Sequence, residues 1–424
     1  MRLSDTLTGS VVELPPPSAG EIGMYFCGPT VYARAHIGNA RPYLVGSWYA
    51  RWLRLRGYSV KLVHNITDVD DKIFVAAPGR SGERADRATA WYLDDVGRFG
   101  LDEVDEFPRV TAMIEPIKDF IAELLEREFA YAVGGDVYFR VSRSPEYGVL
   151  SGQRPEQVEE QEPNPRKEDP RDFALWKASK PEEDRSWDSL WGKGRPGWHI
   201  ECSAMAEKLL GPAFEIHGGG RDIVFPHHEN ELAQSRARGH DFARIWMHNG
   251  MLRFTGEKMS KSVGNVETIM DVLDEWGREA VLLFFLTAHW RSPIDFSAER
   301  MASALARADG LRESFRNPSQ PAPEGSWERF KESLDDDFST PEALALMHEW
   351  RDHELLRRAL DVFGLASLAE EQEAPAEVEE LARRRQEARV ARDFVESDRL
   401  RAEIEAAGWE VRDEADAYRL VPKA

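Results

Sequence analysis

Ile22-Gly-Met-Tyr-Phe-Cys27, then Gly28-Pro29-Thr30 and, a few residues on, His36-Ile37-Gly38-Asn39-Ala40-Arg41 form the stretch that decides the fold. The first six residues are an apolar run closed by Gly-Pro, the pattern of a buried strand entering a loop. Tyr43 to Leu55 then carries apolar residues at helical spacing. A strand, a glycine-bearing loop and a helix start make a nucleotide-binding arrangement, because the free N–H groups at a helix N-terminus favour phosphate. Gly38 lets the backbone approach a flat base, and His36 and Asn39 offer donors to charge developing on a phosphate. A capping loop with a surface histidine is the other reading of this stretch alone. Ser59-Val-Lys-Leu-Val-His64 is a second strand, so strand, helix and strand follow in an order that implies parallel pairing and a Rossmann-type doubly wound sheet. Asp68, Asp70 and Asp71, just beyond it, are expected to cap and brace a loop at the carboxyl edge of that sheet, and no metal is assigned to them.

Phe225-Pro-His-His-Glu-Asn-Glu231 carries a different chemistry. With Pro226 opening a helix, His227 and Glu231 fall four apart on one face. Two ligands are too few for zinc, which takes four. The chain has only two cysteines, Cys27 and Cys202, and each lies in a site-like segment. Cys27, Cys202, His227 and Glu231 are therefore the expected Zn²⁺ ligands; small buried cysteines beside helix-capping histidines are the alternative. Between these segments, residues 110 to 131 read as an amphipathic helix and Gly134 to Val141 as a strand entered through a Gly-Gly turn. Residues 154 to 170 are rich in proline and charge and read as a loop. His217-Gly218-Gly219-Gly220-Arg221-Asp222 allows close backbone approach to a ligand, with Asp222 placed to accept from ribose hydroxyls. Lys258 and Lys261, three apart in a small-residue loop bounded by Gly256 and Gly264, suit a mobile clamp on a polyphosphate, although an exposed basic turn has the same composition.

A chain of 424 residues is too long for one core and is expected to split into two to four domains. A formal charge of −21 speaks against indiscriminate nucleic-acid binding, while leaving room for a local basic face. No run of about eighteen apolar residues occurs and the N-terminus lacks an apolar leader core, so a cytoplasmic protein without a membrane segment is expected. Two distant cysteines fit a reducing compartment.

Taken together these segments resemble the class I aminoacyl-tRNA synthetases, and among them the cysteine enzymes. His36-Ile-Gly-Asn39 resembles the family's HIGH motif, and Lys258-Met-Ser-Lys-Ser262 is similar to its KMSKS loop without change. Gly197-Trp-His-Ile-Glu-Cys-Ser-Ala-Met205, His217 to Gly220 and Phe225 to Glu231 resemble stretches particular to the cysteine branch. The resemblance implies activation of L-cysteine with Mg²⁺-ATP to the adenylate, then transfer to the terminal adenosine of tRNA(Cys). Zinc would hold the substrate thiolate and so reject serine. It implies an ATP site of His36, Gly38, Asn39, Gly218, Gly219, Gly220, Asp222, Lys258 and Lys261, with His36, Asn39, Lys258 and Lys261 acting on the phosphates. It places Cys27, Thr67, Trp198 and His217 around the amino acid. Asn39 stands where the motif has a second histidine; it still donates but carries no charge, and activity is expected to survive.

The implied layout is a first Rossmann half over 1–115, a connective insertion over 116–194, a second Rossmann half over 195–245 and a stem-contact region over 246–300. A helical bundle over 301–368, shorter than usual, and a small anticodon-binding domain over 376–424 complete it. Arg385, Arg389 and Arg392 fall at i, i+4 and i+7 and are the expected tRNA-contacting stripe; an exposed helix laced by Glu–Arg pairs is the bland alternative. A monomer is expected. The rivals are a cysteine ligase of the mycothiol pathway, which passes cysteine to an amino sugar and lacks the anticodon domain, and a non-catalytic zinc- and nucleotide-binding regulator.

Overall fold

The computed structural model describes residues 1–17, 20–153, 162–254, 267–370, 374–413 and 418–422. Its centre is a four-stranded, wholly parallel sheet whose spatial order is Phe242–Asn249, Ala213–Gly220, Ile22–Phe26, Val60–His64. Such strands are covered on both faces and read as near-continuous apolar runs, and every residue of Ile22–Phe26 is buried. The chain leaves this first strand, forms the helix Ala40–Leu55 and returns to pair on one side; the later strand Ala213–Gly220 pairs on the other. The order therefore reverses between Ile22–Phe26 and Ala213–Gly220, and ligands of doubly wound sheets bind outside the carboxyl ends at such a switch point.

Close approach at this switch depends on two glycines. Gly218 pairs with Phe26, and a Cβ on it would stand 2.3 Å from the Phe26 ring. Gly46, on the helix behind the ring, allows a second close approach, since a Cβ there would meet the Phe26 ring at 3.1 Å. At Gly28 a Cβ would fall 1.7 Å from the carbonyl oxygen of Asn65.

The chain between the two halves of the sheet forms the helix Ile114–Glu126 and a four-stranded antiparallel sheet, Ala130–Val133, Asp136–Phe139, Phe173–Ala178 and Gly194–Pro196. Its first hairpin turns on Gly134 and Gly135, both at positive φ, as a tight two-residue connection requires. The three aspartates expected to brace the carboxyl edge do so. Asp70 caps the helix Asp71–Ala76, Asp68 accepts from Arg109 and Thr111, and Asp71 takes Arg195 and Lys177 of the inserted sheet.

After the short parallel pair Leu252–Phe254 and Ile294–Phe296 the chain is helical to Val362. The helices Ser326–Asp335, Thr340–Glu349 and His353–Val362, each ten residues long, share one core with Ala40–Leu55. Trp48 Nε1 donates to the Phe363 carbonyl and Trp52 Nε1 to Asp335 Oδ1, both at 3.0 Å, so the helical part docks directly on the helix that follows His36. Beyond them the helices Ala376–Val390 and Phe394–Ala406 and the hairpin Trp409–Asp413 with Tyr418–Pro422 enclose a separate small core of Val378, Ala382, Ile404 and Val411. No helix among the described residues is long and apolar enough to cross a membrane.

Two expectations about local geometry are corrected. The helix carrying Glu231 runs Glu229–Ala237, and Pro226 lies in a wider turn before it, after an extended Phe225 (φ −129°, ψ 133°) and a cis peptide bond. The arginine stripe does not form: Arg385 is buried and makes a two-pronged bond to Asp413 at 2.7 and 3.1 Å, Arg389 also pairs with Asp413, and Arg392 lies past the helix end at φ 59°.

Candidate metal centre and nucleotide site

Cys27 is the first residue after the strand Ile22–Phe26, and its amide donates to the Gly218 carbonyl at 3.0 Å, which fixes the thiol at the switch point. Cys202 reaches the same place from the helix Trp198–Leu210, and His227 and Glu231 come from either side of the start of Glu229–Ala237. All four are buried. The sulfurs lie 3.7 Å apart, far beyond the roughly 2.05 Å of a disulfide, and both cysteines are free. His227 Nε2 is 3.0 Å and Cys27 Sγ 3.8 Å from Glu231 Oε1.

The donor atoms of these four residues lie within 4.8 Å of one another. A second set meets the same limit: Cys27, His217, His228 and Glu231, with His217 Nε2 3.0 Å from Glu231 Oε2 and His228 Nε2 3.3 Å from Cys27 Sγ. Two thiols, a carboxylate and imidazoles turned toward one buried point are groups that require either pairing or a cation. The cluster is thus a buried group that can hold a metal ion.

The ionisable groups of the cluster are held in mixed protonation states: burial lowers the His227 imidazole, but Glu231 and Cys202 outweigh it and raise it to about 10, so it carries a proton that a bound cation would displace. Burial pushes the Cys202 thiol up, but the bond from Cys27 and the neighbouring His227 outweigh it and bring it down to about 6. Burial also raises Glu231, and the charges of His217 and His227 reverse this and hold it at about 2. Cys27 is pushed up, first by burial and then by Cys202. His228 is kept neutral by burial and by His217 and His248.

The residues expected near the amino acid gather around this cluster. Trp198, about a third exposed, stacks on His227 with centroids 4.3 Å apart, and His217 Nδ1 shares a 3.0 Å hydrogen bond with the Tyr25 carbonyl. The Thr67 hydroxyl donates to Glu201 Oε2 at 3.0 Å. A cleft of about 280 Å³ opens beside Trp198, His199 and Glu201, bounded by the inserted sheet at Phe173, Lys177 and Arg195 and by Thr30 and Lys72 of the first half.

His36 opens a single helical turn, Ile37–Asn39, and Asn39 Oδ1 accepts from the His36 amide at 3.2 Å, which leaves the Asn39 amide nitrogen as the donor. A Cβ on Gly38 would meet the His36 ring at 3.0 Å. The space a side chain would take at Gly219 is filled by Ile223 and His228, and at Gly220 by Asp222, so the triple glycine also serves internal packing. Asp222 is exposed at the end of that strand. Lys258 and Lys261 lie outside the described residues.

Several residues of the site escaped the sequence reading. His199 Nδ1 shares a 3.0 Å hydrogen bond with His227 Nδ1; its position three before Cys202, one turn along a helix, was an available signal. His228 joins His248, and His248 joins Thr6, each at 2.7 Å. Asn65 Oδ1 accepts from the Gly28 amide at 2.9 Å and sets the loop after Cys27. The last two depend on long-range pairing that no local pattern announces.

A doubly wound sheet with a buried thiol, imidazole and carboxylate cluster at its switch point, beside a His-Ile-Gly-Asn turn, defines a nucleotide-handling α/β protein of the class I synthetase type. Residues 13–306 match the family described as tRNA synthetases class I (C), catalytic domain. The chain is 43% identical to a cysteine–tRNA ligase of Halorhodospira halophila, over 97% of both chains, and 41% identical to one of Symbiobacterium thermophilum, over 99% of both. The chain belongs to the cysteine–tRNA ligase family. These alignments run over 450 and 466 positions against 424 residues, so the relatives carry segments that this chain lacks. Among solved structures, Mycobacterium tuberculosis methionyl-tRNA synthetase in complex with methionyl-adenylate matches with a TM-score of 0.60 at 16% identity, covering 82% of this chain and 88% of that one, a likeness of fold.

Proposed function

We infer that this chain is a cysteine–tRNA ligase that activates L-cysteine with ATP and transfers it to tRNA(Cys), using zinc at Cys27, Cys202, His227 and Glu231 to select the substrate thiol. The observation that carries the metal assignment is the spacing of the donors. A tetrahedral ion with about 2.3 Å bonds to sulfur sets its two sulfurs about 3.8 Å apart, and a sulfur and a carboxylate oxygen about 3.6 Å apart. The corresponding separations in the cluster are 3.7 and 3.8 Å. The mixed sulfur, nitrogen and oxygen donor set suits zinc. Bound there, zinc supplies a Lewis-acidic partner for a thiolate that a serine hydroxyl cannot match.

The remaining roles fall to the chain's own groups. Thr67, Trp198 and His217 border the amino acid beside the cluster. In the first step a carboxylate oxygen of cysteine bonds to the α-phosphorus of Mg²⁺-ATP while the bond to the bridging oxygen breaks and pyrophosphate leaves. His36 and the Asn39 amide donate to the α-phosphate, Lys258 and Lys261 neutralise the departing pyrophosphate, and Gly38, Gly218 to Gly220 and Asp222 border the nucleoside. Catalysis is positioning and charge stabilisation, without a covalent enzyme intermediate. The sheet halves with their insertion, the lysine-bearing loop and the helices form the body that does this. The C-terminal unit takes the anticodon arm, and the protein works as a cytoplasmic monomer. Retention of that C-terminal unit favours tRNA over an amino sugar as acceptor. Charging a total tRNA pool with labelled cysteine tests this: cysteine-dependent ATP–pyrophosphate exchange with charging of the cysteine tRNA supports the reading. Exchange without charging points to the amino-sugar ligase, and no exchange to a binding protein.

A further inference from the structure

The loop before His36 and the helix Ser81–Gly97 carry arginines that the reaction above does not use. Arg34, Arg84 and Arg87 set their guanidinium carbons 5.3, 5.4 and 5.4 Å from the centre of one indole, that of Trp91 on the helix Ser81–Gly97. Only Arg34 among them has a carboxylate partner among the described residues, Asp95, at 2.6 Å. Arg84 Nε donates to the Tyr32 carbonyl at 2.7 Å, and Arg87 is exposed with the ring as its contact. Nearby acids are engaged elsewhere: Asp86 with Arg109, Asp71 with Arg195, and Asp184 with the Ser81 amide. Glu83 and Asp94 stay exposed on the flank of the same helix. Three like charges held around one ring repel, and an anion relieves that repulsion. Arginine stacked on an aromatic face presents a fixed fork that matches phosphate.

The cluster is continuous with the site. Arg34 lies two residues before His36, a span of at most about 7 Å. Lys72 stands over the Tyr32 ring at 5.9 Å and, with Thr30, lines the cleft beside Trp198. A protein of net charge −21 gains nothing from general attraction to RNA and needs such a local contact. We propose that Arg34, Arg84 and Arg87, held by Trp91, bind the phosphates of the tRNA 3′-terminal strand as it enters the site. This rests on the ligase reading above.

The test measures tRNA affinity across a salt series for the wild type, Arg87→Glu and the double variant Arg84→Ala/Arg87→Ala, with cysteine-dependent ATP–pyrophosphate exchange on each. Two RNAs are compared, the full cysteine tRNA and a transcript lacking its last four nucleotides. Arg87→Glu is expected to weaken the full tRNA about tenfold, and to lower the salt slope by about 0.7 per lost phosphate contact. Exchange should be unchanged, and the truncated RNA should bind wild type and variant alike. Unchanged affinity in both variants, or equal weakening on both RNAs, overturns the assignment, as does a raised KM for ATP, which would give the arginines to the triphosphate. A wild type without exchange sinks the ligase reading itself, and that failure is visible before any variant is made.

Discussion

Replacing Cys202 by serine separates the two donor sets, because only one of them contains this residue. Burial raises the Cys202 thiol, but the bond from Cys27 and the neighbouring His227 outweigh it and draw it below the usual thiol range, so it serves readily as an anionic ligand, whereas a serine hydroxyl stays neutral. The variant therefore loses one anionic ligand of four. Changes to groups merely behind the ligands of zinc sites cost up to about 100-fold in affinity, so losing a ligand should cost at least about 2.7 kcal/mol. Stability of the metal-free fold should change by less than about 1.5 kcal/mol, because the side chains are nearly the same size and Asn65 Oδ1, 3.7 Å from the sulfur, can accept from the new hydroxyl. The assay is metal content per chain after dialysis at a series of buffered free-zinc concentrations, with thermal unfolding of the apoprotein alongside. One zinc per chain in the variant, at the wild-type free-zinc dependence, refutes the assignment. Retention there together with loss in His228→Asn would move the ion to Cys27, His217, His228 and Glu231.

Gly218→Ala should cost about 1–3 kcal/mol or more, read as a lower urea midpoint, since the new Cβ would stand 2.3 Å from the buried Phe26 ring; an unchanged midpoint would mean that the ring yields freely. Burial raises the Asp71 carboxyl, but Arg195 and Lys177 more than offset this and hold it at about 2. A depressed carboxylate stabilises above its unfolded value, so the contribution of Asp71 is whole above about pH 4 and is lost as pH falls through about 2. Asp71→Asn should flatten stability across that window, and an identical acid limb in the two proteins would remove the pair from the account. Arg385→Met should loosen the C-terminal unit by about 1–3 kcal/mol, seen as faster amide exchange over Trp409–Asp413 with the parallel sheet unaffected; protection equal to wild type would mean that Asp413 does not anchor the hairpin.

Two of the four parallel strands, Ile22–Phe26 and Val60–His64, were legible as short apolar runs ended by Gly-Pro or by a polar turn, whereas Ala213–Gly220 and Phe242–Asn249 were not read as strands. Cys27, Cys202, His227 and Glu231 were legible as a set because cysteine is scarce in the chain. Which donors meet is less so: His217 approaches Glu231 through the register of Ala213–Gly220 against Ile22–Phe26, and His228 reaches the Cys27 sulfur from the turn before Glu229, long-range meetings with no local signature. The spacing of Arg385, Arg389 and Arg392 did place the first two on one face. It could not reveal that Arg385 is buried against Asp413, with the exposed Arg389 paired to the same carboxylate. The strand Ala130–Val133 was hidden inside an apolar stretch that continues the preceding helix pattern, where only the Gly134-Gly135 turn marks the change.

The most direct test of the account is the ratio of kcat/KM for cysteine over serine in ATP–pyrophosphate exchange, measured on the zinc-loaded protein and again after chelation and after zinc is restored. The buried cluster as the selecting group predicts a large preference for cysteine that collapses on chelation and returns with zinc. A preference that survives complete removal of the metal would contradict it.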